Sequence, residues 1–182
     1  RILDHNYVFE NIGITAYTED ASFPVTNLQK FSPSKVYRTE GAQSQRVTFD
    51  LLTPDAAIDS VVILFDRESD ILISPSGTIA LQANPTNHWS SPAYSVNLTI
   101  DDINHCATKF MTSAESYRFW RIFVDDAANT LNYFEIAKVF LSKSTRLSQM
   151  PSRPFEVQTI EQSEINDSPY GVRFADLYPY RR

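Results

Sequence analysis

The sequence predicts an all-β protein with an antiparallel β-sandwich or jelly-roll architecture, and three observations carry that prediction. About six to eight segments have the composition and periodicity of strands. Turn-rich stretches separate them about every 10 to 15 residues, which is typical of antiparallel sandwiches. Helix-forming stretches are scarce: "ATKFMTSAESY" is a candidate for a short helix and "TPDAAIDS" for a single turn.

The strands follow from alternation and from β-branched runs. "QRVTFDLL" places Val47, Phe49 and Leu51 on one face, which predicts a half-buried strand. "DSVVILFD" is a continuous apolar run, typical of a strand covered on both faces. "GTIALQA" alternates again, and "AYSVNLTI" places alternate residues from Tyr94 to Ile100 on one face of a single strand. Two more strands are predicted at "SYRFWRIFV" and "EIAKVFLS".

Composition excludes several classes of function. The chain has 182 residues, 42% hydrophobic, with a net charge of -6 and no dense Lys/Arg cluster, so we expect no nucleic-acid partner. No apolar run approaches the ~20 residues of a membrane span, so we expect no membrane insertion. The single cysteine, Cys106, cannot form an internal disulfide and is interpreted as a small buried thiol. The chain does not begin with Met, and we expect it to start inside a longer gene product or after trimming.

A change of character near Thr145 predicts two regions, a sandwich over 1–146 and an extended arm, or the start of a further segment, over 147–182. The second region contains four prolines and a short predicted strand at "FEVQTI". It is also too apolar for a purely solvated linker, so we expect its apolar side chains to form protein interfaces. These predicted interface residues are Phe155, Val157, Ile160, Tyr170, Phe174, Tyr178 and Tyr180.

The order of these pieces resembles the discoidin-like (coagulation-factor C-type) jelly-roll family over about residues 10–145. "ASFPVTNL" resembles the family's opening segment, Tyr37 takes the place of its aromatic residue, and "VTFDL" takes the place of the strand that follows. "YRFWRIFVDDAANTLNYFEIAKVFL" resembles its closing segment. The resemblance implies a penultimate strand at the sandwich centre that contains Phe119, Trp120, Ile122 and Val124.

The same resemblance makes "DDAAN" a hairpin loop and "YFEIAKVFL" the closing strand. Arg118 and Arg121, inside the apolar run, are expected to extend towards solvent or to pair with carboxylates near the rim of the sheet.

The stretch "SFPVTNLQKFSPSKVYRTEG" and the C-terminal region resemble phage tail and other virion proteins that carry this jelly roll. This implies a non-enzymatic structural or adaptor subunit located in the virion, in a tail, baseplate or neck. Its expected partners are other virion proteins and further copies of itself in a ring-like assembly.

Sugar-binding relatives often have a "DGN" loop, associated with calcium, before the aromatic residue. Here that region reads "FSPSKVYR", although Asn27 and Glu135 are expected nearby. The histidines His5, His88 and His105 also lack metal-ligand spacing. We therefore predict no metal site and no cofactor.

Catalytic motifs are absent from the sequence. There is no G-x-S-x-G elbow and no glycine-rich phosphate loop. The adjacent carboxylates at 101–102 and 125–126 are interpreted as turn residues that bind local backbone, rather than as a glycosidase pair. The prediction is that the chain is not an enzyme.

The loop "NPTNHWSSPAY" carries the alternative function, a carbohydrate-binding module that recognises a host-surface glycan. It brings Asn87, His88, Trp89 and Tyr94 into one connection, and an indole face with neighbouring amides can stack on a sugar ring. The competing interpretation is that Trp89 packs under its own loop or at a subunit contact.

Overall fold

Two five-stranded antiparallel sheets face each other in the computed structural model and enclose one hydrophobic core. The chain divides into two units, Arg1–Arg146 and Leu147–Arg182, and the sandwich belongs to the first. The structure describes residues 2–3, 5–9, 12–30, 32, 35–54, 56–65, 73–145, 160–167 and 173–180.

Sheet 1 contains, in spatial order, β2 (Gly13–Ala16), β4 (Gln45–Asp50), β10 (Phe119–Asp125), β6 (Thr78–Asn84) and β7 (Tyr94–Asn97). Sheet 2 contains β3 (Tyr37–Arg38), β11 (Glu135–Ser142), β5 (Ala57–Phe65), β9 (Cys106–Ser116) and β8 (Thr99–Asp101). A small pair joins β1 (Ile2–Leu3) to β12 (Ser144–Thr145). Two 3₁₀ turns, Tyr7–Phe9 and Val25–Gln29, complete this unit. No helix among the described residues has the length and apolarity needed to cross a membrane.

The all-β jelly-roll prediction is confirmed, and β10 is the central strand of sheet 1. Its alternate side chains Trp120, Ile122 and Val124 are buried in the core because successive strand residues point to opposite faces. Phe119 and Phe123 are half-buried and lie on the other face of the strand. The apolar run at 119–124 therefore contributes side chains to both faces of sheet 1.

Two predicted connections were wrong because alternation along a strand does not specify which sheet the strand joins. "AYSVNLTI" is not one strand: the chain leaves sheet 1 at Leu98 and continues in sheet 2 as β8. Leu98 is buried at this crossing, and its backbone N–H donates to the carbonyl of Ile79 over 2.9 Å. The segment 126–134 likewise carries the chain from β10 in sheet 1 to β11 in sheet 2, so "DDAAN" is not a hairpin loop.

The prediction of a short helix was also wrong for the segment "ATKFMTSAESY". It forms β9, which pairs with β5 on one side and β8 on the other. Met111 is buried while Phe110 is 42% exposed, so the strand period is present but weak. Burial between neighbouring strands outweighs the helix propensity of Ala, Lys and Met.

Gly77 precedes β6 at a close approach of three chain segments. A Cβ atom added there would lie 2.7 Å from Cγ of Asp126 and would also collide with Ile73. Asp126 is buried, and its carboxylate accepts two hydrogen bonds from Ser74, one from the backbone N–H over 2.7 Å and one from the side-chain hydroxyl. This carboxylate therefore ties the turn before β6 to the loop after β10, a long-range contact that the turn interpretation of 125–126 did not predict, and it also accepts the local backbone N–H of Ala128 over 3.2 Å.

The second unit contains an antiparallel pair, β13 (Ile160–Asp167) and β14 (Arg173–Tyr180). This is more regular structure than the single short strand predicted at "FEVQTI", whose residues 155–159 lie outside the described residues. The predicted interface side chains in this unit also lie outside what the structure describes, so their role in assembly stays a prediction.

Candidate ligand-binding surface

The loop between β6 and β7 is fastened at its base by Asn84, the last residue of β6. Asn84 is 8% exposed, and its Nδ2 donates to the backbone carbonyls of His88 and, over 3.4 Å, Ser91. The backbone N–H of His88 donates to the carbonyl of Thr86 over 2.7 Å, which closes a tight turn inside the loop. These bonds fix the backbone on both sides of Trp89.

Trp89 lies over the outer face of sheet 1, and its indole is held in place by two contacts. Its Nε1 donates to Oδ1 of Asn87 over 2.7 Å. One ring face lies above the guanidinium of Arg121, with Cζ 4.3 Å from the ring centroid, a cation–π geometry. The residue is half-buried, so part of its surface keeps contact with solvent.

Arg121 lies beneath Trp89 and is itself 6% exposed. Its Nε donates to Oε1 of Gln82 over 2.8 Å, and Nη2 donates to the same oxygen. Cross-strand register places Gln82 directly opposite Arg121, which is why the two side chains meet. Burial, together with the nearby charge of Arg46, lowers the pKa of Arg121 to about 10. The group still carries its full charge at neutral pH.

Next to Trp89 and Arg121, the outer face of sheet 1 carries a second arginine and a second aromatic ring. Arg46 on β4 stands opposite Phe123 on β10. Its Cζ lies 4.4 Å from the ring centroid of Tyr17, and its Nε donates to the carbonyl of Ser44 over 3.1 Å. Tyr17 is 61% exposed, so this row contributes a second accessible aromatic ring.

The structure brings together three of the four predicted ligand residues. Asn87, His88 and Trp89 share the loop, with His88 Nε2 2.7 Å from the hydroxyl of Ser90. Tyr94 does not join them, because it begins β7 on the face that points into the sandwich. There its ring centroid lies 6.4 Å from that of Trp120, and burial raises the pKa of its hydroxyl.

Sequence reasoning missed Gln82 and Arg121, the two side chains beneath the indole. The expectation of rim carboxylates is met by Arg118, whose Nε and Nη2 both donate to Asp50 over 2.8 Å. Arg121 instead contacts an amide and an indole. The alternation of β10 contained a usable signal, because it places Arg121 on the face opposite Trp120.

Another Arg–aromatic cluster surrounds Arg38 on β3, whose Cζ lies 4.1 Å from the ring centroid of Phe23 and 4.8 Å from that of Tyr133. Its Nε donates to Glu135 over 2.7 Å, and Nη1 lies 3.7 Å from Asp20. The charges of this cluster therefore compensate one another.

The residues near the altered "FSPSKVYR" loop are occupied by protein contacts. Glu135 pairs with Arg38, and Asn27 Nδ2 donates to the carbonyl of Val36 over 2.8 Å. No group of three or more His, Cys, Asp or Glu side chains within the described ranges could hold a metal ion.

The predicted turn role of the first acidic pair fits the geometry of Asp101. Its Oδ1 accepts from the backbone N–H groups of Ile103 and Asn104 over 3.1 and 3.0 Å. Cys106, next to this turn, is half-buried, and burial raises the pKa of its thiol.

No protein-family model and no curated protein matches the chain. Solved structures do match its fold. The lectin domain of lectinolysin, solved with Lewis b antigen, is similar over 79% of this chain and 100% of its own, with a TM-score of 0.62 and 11% identity. The family 32 carbohydrate-binding module of C. perfringens NanJ, solved with galactose, covers 76% of this chain and 98% of its own, with a TM-score of 0.61 and 12% identity.

A third match is the family 32 module of AlyQ, solved with 4,5-unsaturated mannuronic acid, with a TM-score of 0.51 and 21% identity over 72% of this chain and 95% of its own. These likenesses define the class of fold, a discoidin-like jelly roll of the kind found in family 32 carbohydrate-binding modules. The resemblance to discoidin-like domains is thus confirmed at the level of the fold. No finding links the chain to virion proteins, and that part of the resemblance stays a prediction.

Proposed function

We propose that this chain is a non-catalytic carbohydrate-binding module that binds glycan on the Trp89 surface, which we define as Asn87, His88 and Trp89 together with Gln82 and Arg121 beneath them. The observation that carries the proposal is the half-buried indole, which packs through one face on a buried guanidinium and still keeps part of its surface accessible to solvent. An aromatic ring held in this way is a platform for the apolar face of a sugar ring.

Hydrogen-bonding groups stand beside that platform. Asn87 and His88 are exposed; Asn87 contacts the indole nitrogen, and the imidazole of His88, which precedes Trp89 in the loop, contacts the hydroxyl of Ser90. A glycan ring that covers Trp89 would place its hydroxyl groups near the amide and the imidazole. An apolar platform with a few fixed polar groups is the usual composition of a small-molecule site.

Preorganisation also favours binding at this loop. Asn84 holds two loop carbonyls, and Asn87 holds the indole nitrogen. Because these groups are already ordered in the free protein, a ligand does not have to order them, which leaves more of the contact energy for affinity. The similar solved structures were obtained with carbohydrate ligands, which supports the same class of ligand here.

The interpretation as a virion subunit in a ring-like assembly depends on the C-terminal region, and no described contact favours it over glycan binding. It remains the second hypothesis.

The test is a screen of immobilised neutral and acidic oligosaccharides, followed by titration calorimetry on the best ligand. Trp89→Ala should weaken binding about 30-fold, the effect of losing about 2 kcal/mol from a central aromatic contact. Phe110→Ala, which removes a 42% exposed ring from sheet 2, is the matched control and should bind as the parent does.

Tyr133→Ala separates the Trp89 surface from the Arg38 cluster. If Tyr133→Ala abolishes binding and Trp89→Ala does not, the glycan binds at the other cluster and the proposed site is wrong. A screen without a glycan ligand would contradict the proposed function itself.

A further inference from the structure

Two arginines on the outer face of sheet 1 lack a carboxylate partner among the described residues. Arg121 donates to the neutral Gln82, and Arg46 donates to a backbone carbonyl. The other two arginines of the sandwich with described side-chain contacts differ, since Arg38 pairs with Glu135 and Arg118 with Asp50. The pattern is therefore specific to this face.

The carboxylates that share the face are engaged elsewhere. Asp50 binds both Nε and Nη2 of Arg118. Asp125, at the end of β10, accepts the backbone N–H of Ser44 over 2.8 Å. Neither forms an ion pair with Arg46 or Arg121 among the described contacts.

The two guanidinium groups are close enough to repel each other. Arg46 stands opposite Phe123, one diagonal step from Arg121 on the neighbouring strand, where side chains are within reach of one another. Arg46 also contributes, after burial, to the lowered pKa of Arg121. A chain with a net charge of -6 thus keeps a local positive surface beside its accessible indole.

Arg121 retains a usable donor despite its burial. Its Nε and Nη2 are directed at Gln82, and its upper face is covered by Trp89. Nη1 donates to no described residue, and it is not among the fully buried polar atoms without a partner. This nitrogen therefore keeps some contact with solvent, and its N–H groups are accepted by no described residue.

We infer that the Trp89 surface takes an acidic glycan, a chain of uronic-acid residues, whose carboxylate binds between Nη1 of Arg121 and the guanidinium of Arg46. The sugar ring then covers Trp89, and the carboxylate pairs with two arginines that have no carboxylate partner among the described contacts. A carboxylate accepts charge-assisted hydrogen bonds from guanidinium groups, and these are stronger than bonds between neutral groups. This inference rests on the proposed function and names the class of its ligand.

The experiment compares tetragalacturonate with its methyl ester, which has the same rings without the charge. Calorimetry with the full chain should show at least about tenfold tighter binding of the free acid, and that preference should shrink as salt is raised from 50 to about 500 mM, since screening weakens the charge interaction.

Arg46→Gln should weaken binding of the acid far more than binding of the ester, and so remove most of the preference for the acid. Arg46 is half-buried at the surface, so this variant keeps the core intact, and a thermal melt checks that it folds. Arg121→Gln should act in the same direction. Lys109→Gln, which removes one positive charge from sheet 2, is the matched control and should keep the full preference.

The outcomes separate the two proposals. Equal binding of acid and ester, with binding still dependent on Trp89, overturns the acidic class and leaves glycan binding standing. A preference for the acid that survives Arg46→Gln and Arg121→Gln also overturns the inference. If neither galacturonate form nor any neutral glycan binds, the proposed function fails and the inference fails with it.

Discussion

Truncating Ile122 to Ala should be among the most destabilising single changes in the sandwich. Ile122 is 0% exposed on the central strand of sheet 1, and its cross-strand partners Val47 and Leu81 are buried on the same inner face. The change removes three carbon atoms, worth about 2.4 kcal/mol at ~0.8 kcal/mol each. The cavity left between two packed sheets adds to this, so we expect a loss of about 3–4 kcal/mol in unfolding free energy.

Phe119 on the same strand is the matched comparison, and the sequence alone predicted that both residues would behave as core. The structure places Phe119 half-buried on the outer face, with the Arg118 guanidinium 4.9 Å from its ring centroid. Its truncation opens no closed cavity, so we expect a loss of about 1 kcal/mol.

Urea unfolding followed by fluorescence gives both values, and a thermal melt gives a second measure, since each kcal/mol lowers Tm by about 2–4 °C in a domain of this size. Equal losses for Ile122→Ala and Phe119→Ala would show that the two faces of β10 are equally enclosed. An Ile122→Ala protein that melts with the parent would refute the placement of this strand at the centre of the core.

Three further predictions concern charge, close packing and the second unit. The Arg118 guanidinium and the Leu52 backbone N–H hold the pKa of Asp50 below its usual value. The loss of unfolding free energy caused by Arg118→Gln should therefore be constant near neutral pH and should disappear as pH falls through the lowered pKa. A loss that stays the same down to pH of about 2 would contradict this. Gly77→Ala should destabilise the fold and lower Tm. Gly41→Ala should cost little stability, because its added Cβ meets only the end of a flexible glutamine side chain. Equal Tm values for the two variants would contradict the close approach at Gly77. Deleting 147–182 should leave a folded sandwich with the parent's Tm, measured by circular dichroism, because both sheets and their core belong to the first unit; an unfolded product would show that this segment completes the core.

The strands β4, β5, β6, β10 and β11 were predictable from the sequence, because alternation or a continuous β-branched run marks each of them, whereas β9, whose period is weak, was predicted as a short helix. The sheet that a strand joins is decided by contacts far apart in sequence. Nothing local in "AYSVNLTI" marks the crossing at Leu98, since the apolar period continues through it. The connection after β10 has the composition of a hairpin turn, yet it spans the two sheets.

In the candidate site, residues that are adjacent in sequence could be grouped from the sequence, whereas residues that only strand pairing brings together could not. Asn87, His88 and Trp89 were grouped from the sequence because they are contiguous in a loop, and Tyr94 was included only because it is near in sequence. Its position at the start of a strand turns its side chain into the sandwich. Arg121 is far from Trp89 in sequence (121 − 89 = 32 positions), and only the pairing of β6 with β10 places it under the indole.

The two interpretations of Trp89 from the sequence, packing or sugar binding, are compatible, because a ring packed on one face by Arg121 is also an oriented platform on the other. Asn84→Ala tests this directly, since Asn84 lies at the base of the loop and only fixes its carbonyls. The variant retains every group that we expect to touch glycan, but the loop must now be ordered on binding, so affinity should fall about three- to tenfold. Calorimetry should show the loss mainly in the entropy of binding, with Tm nearly unchanged because the freed carbonyls can bind water. Unchanged affinity in Asn84→Ala would mean that the order of this loop does not contribute to binding.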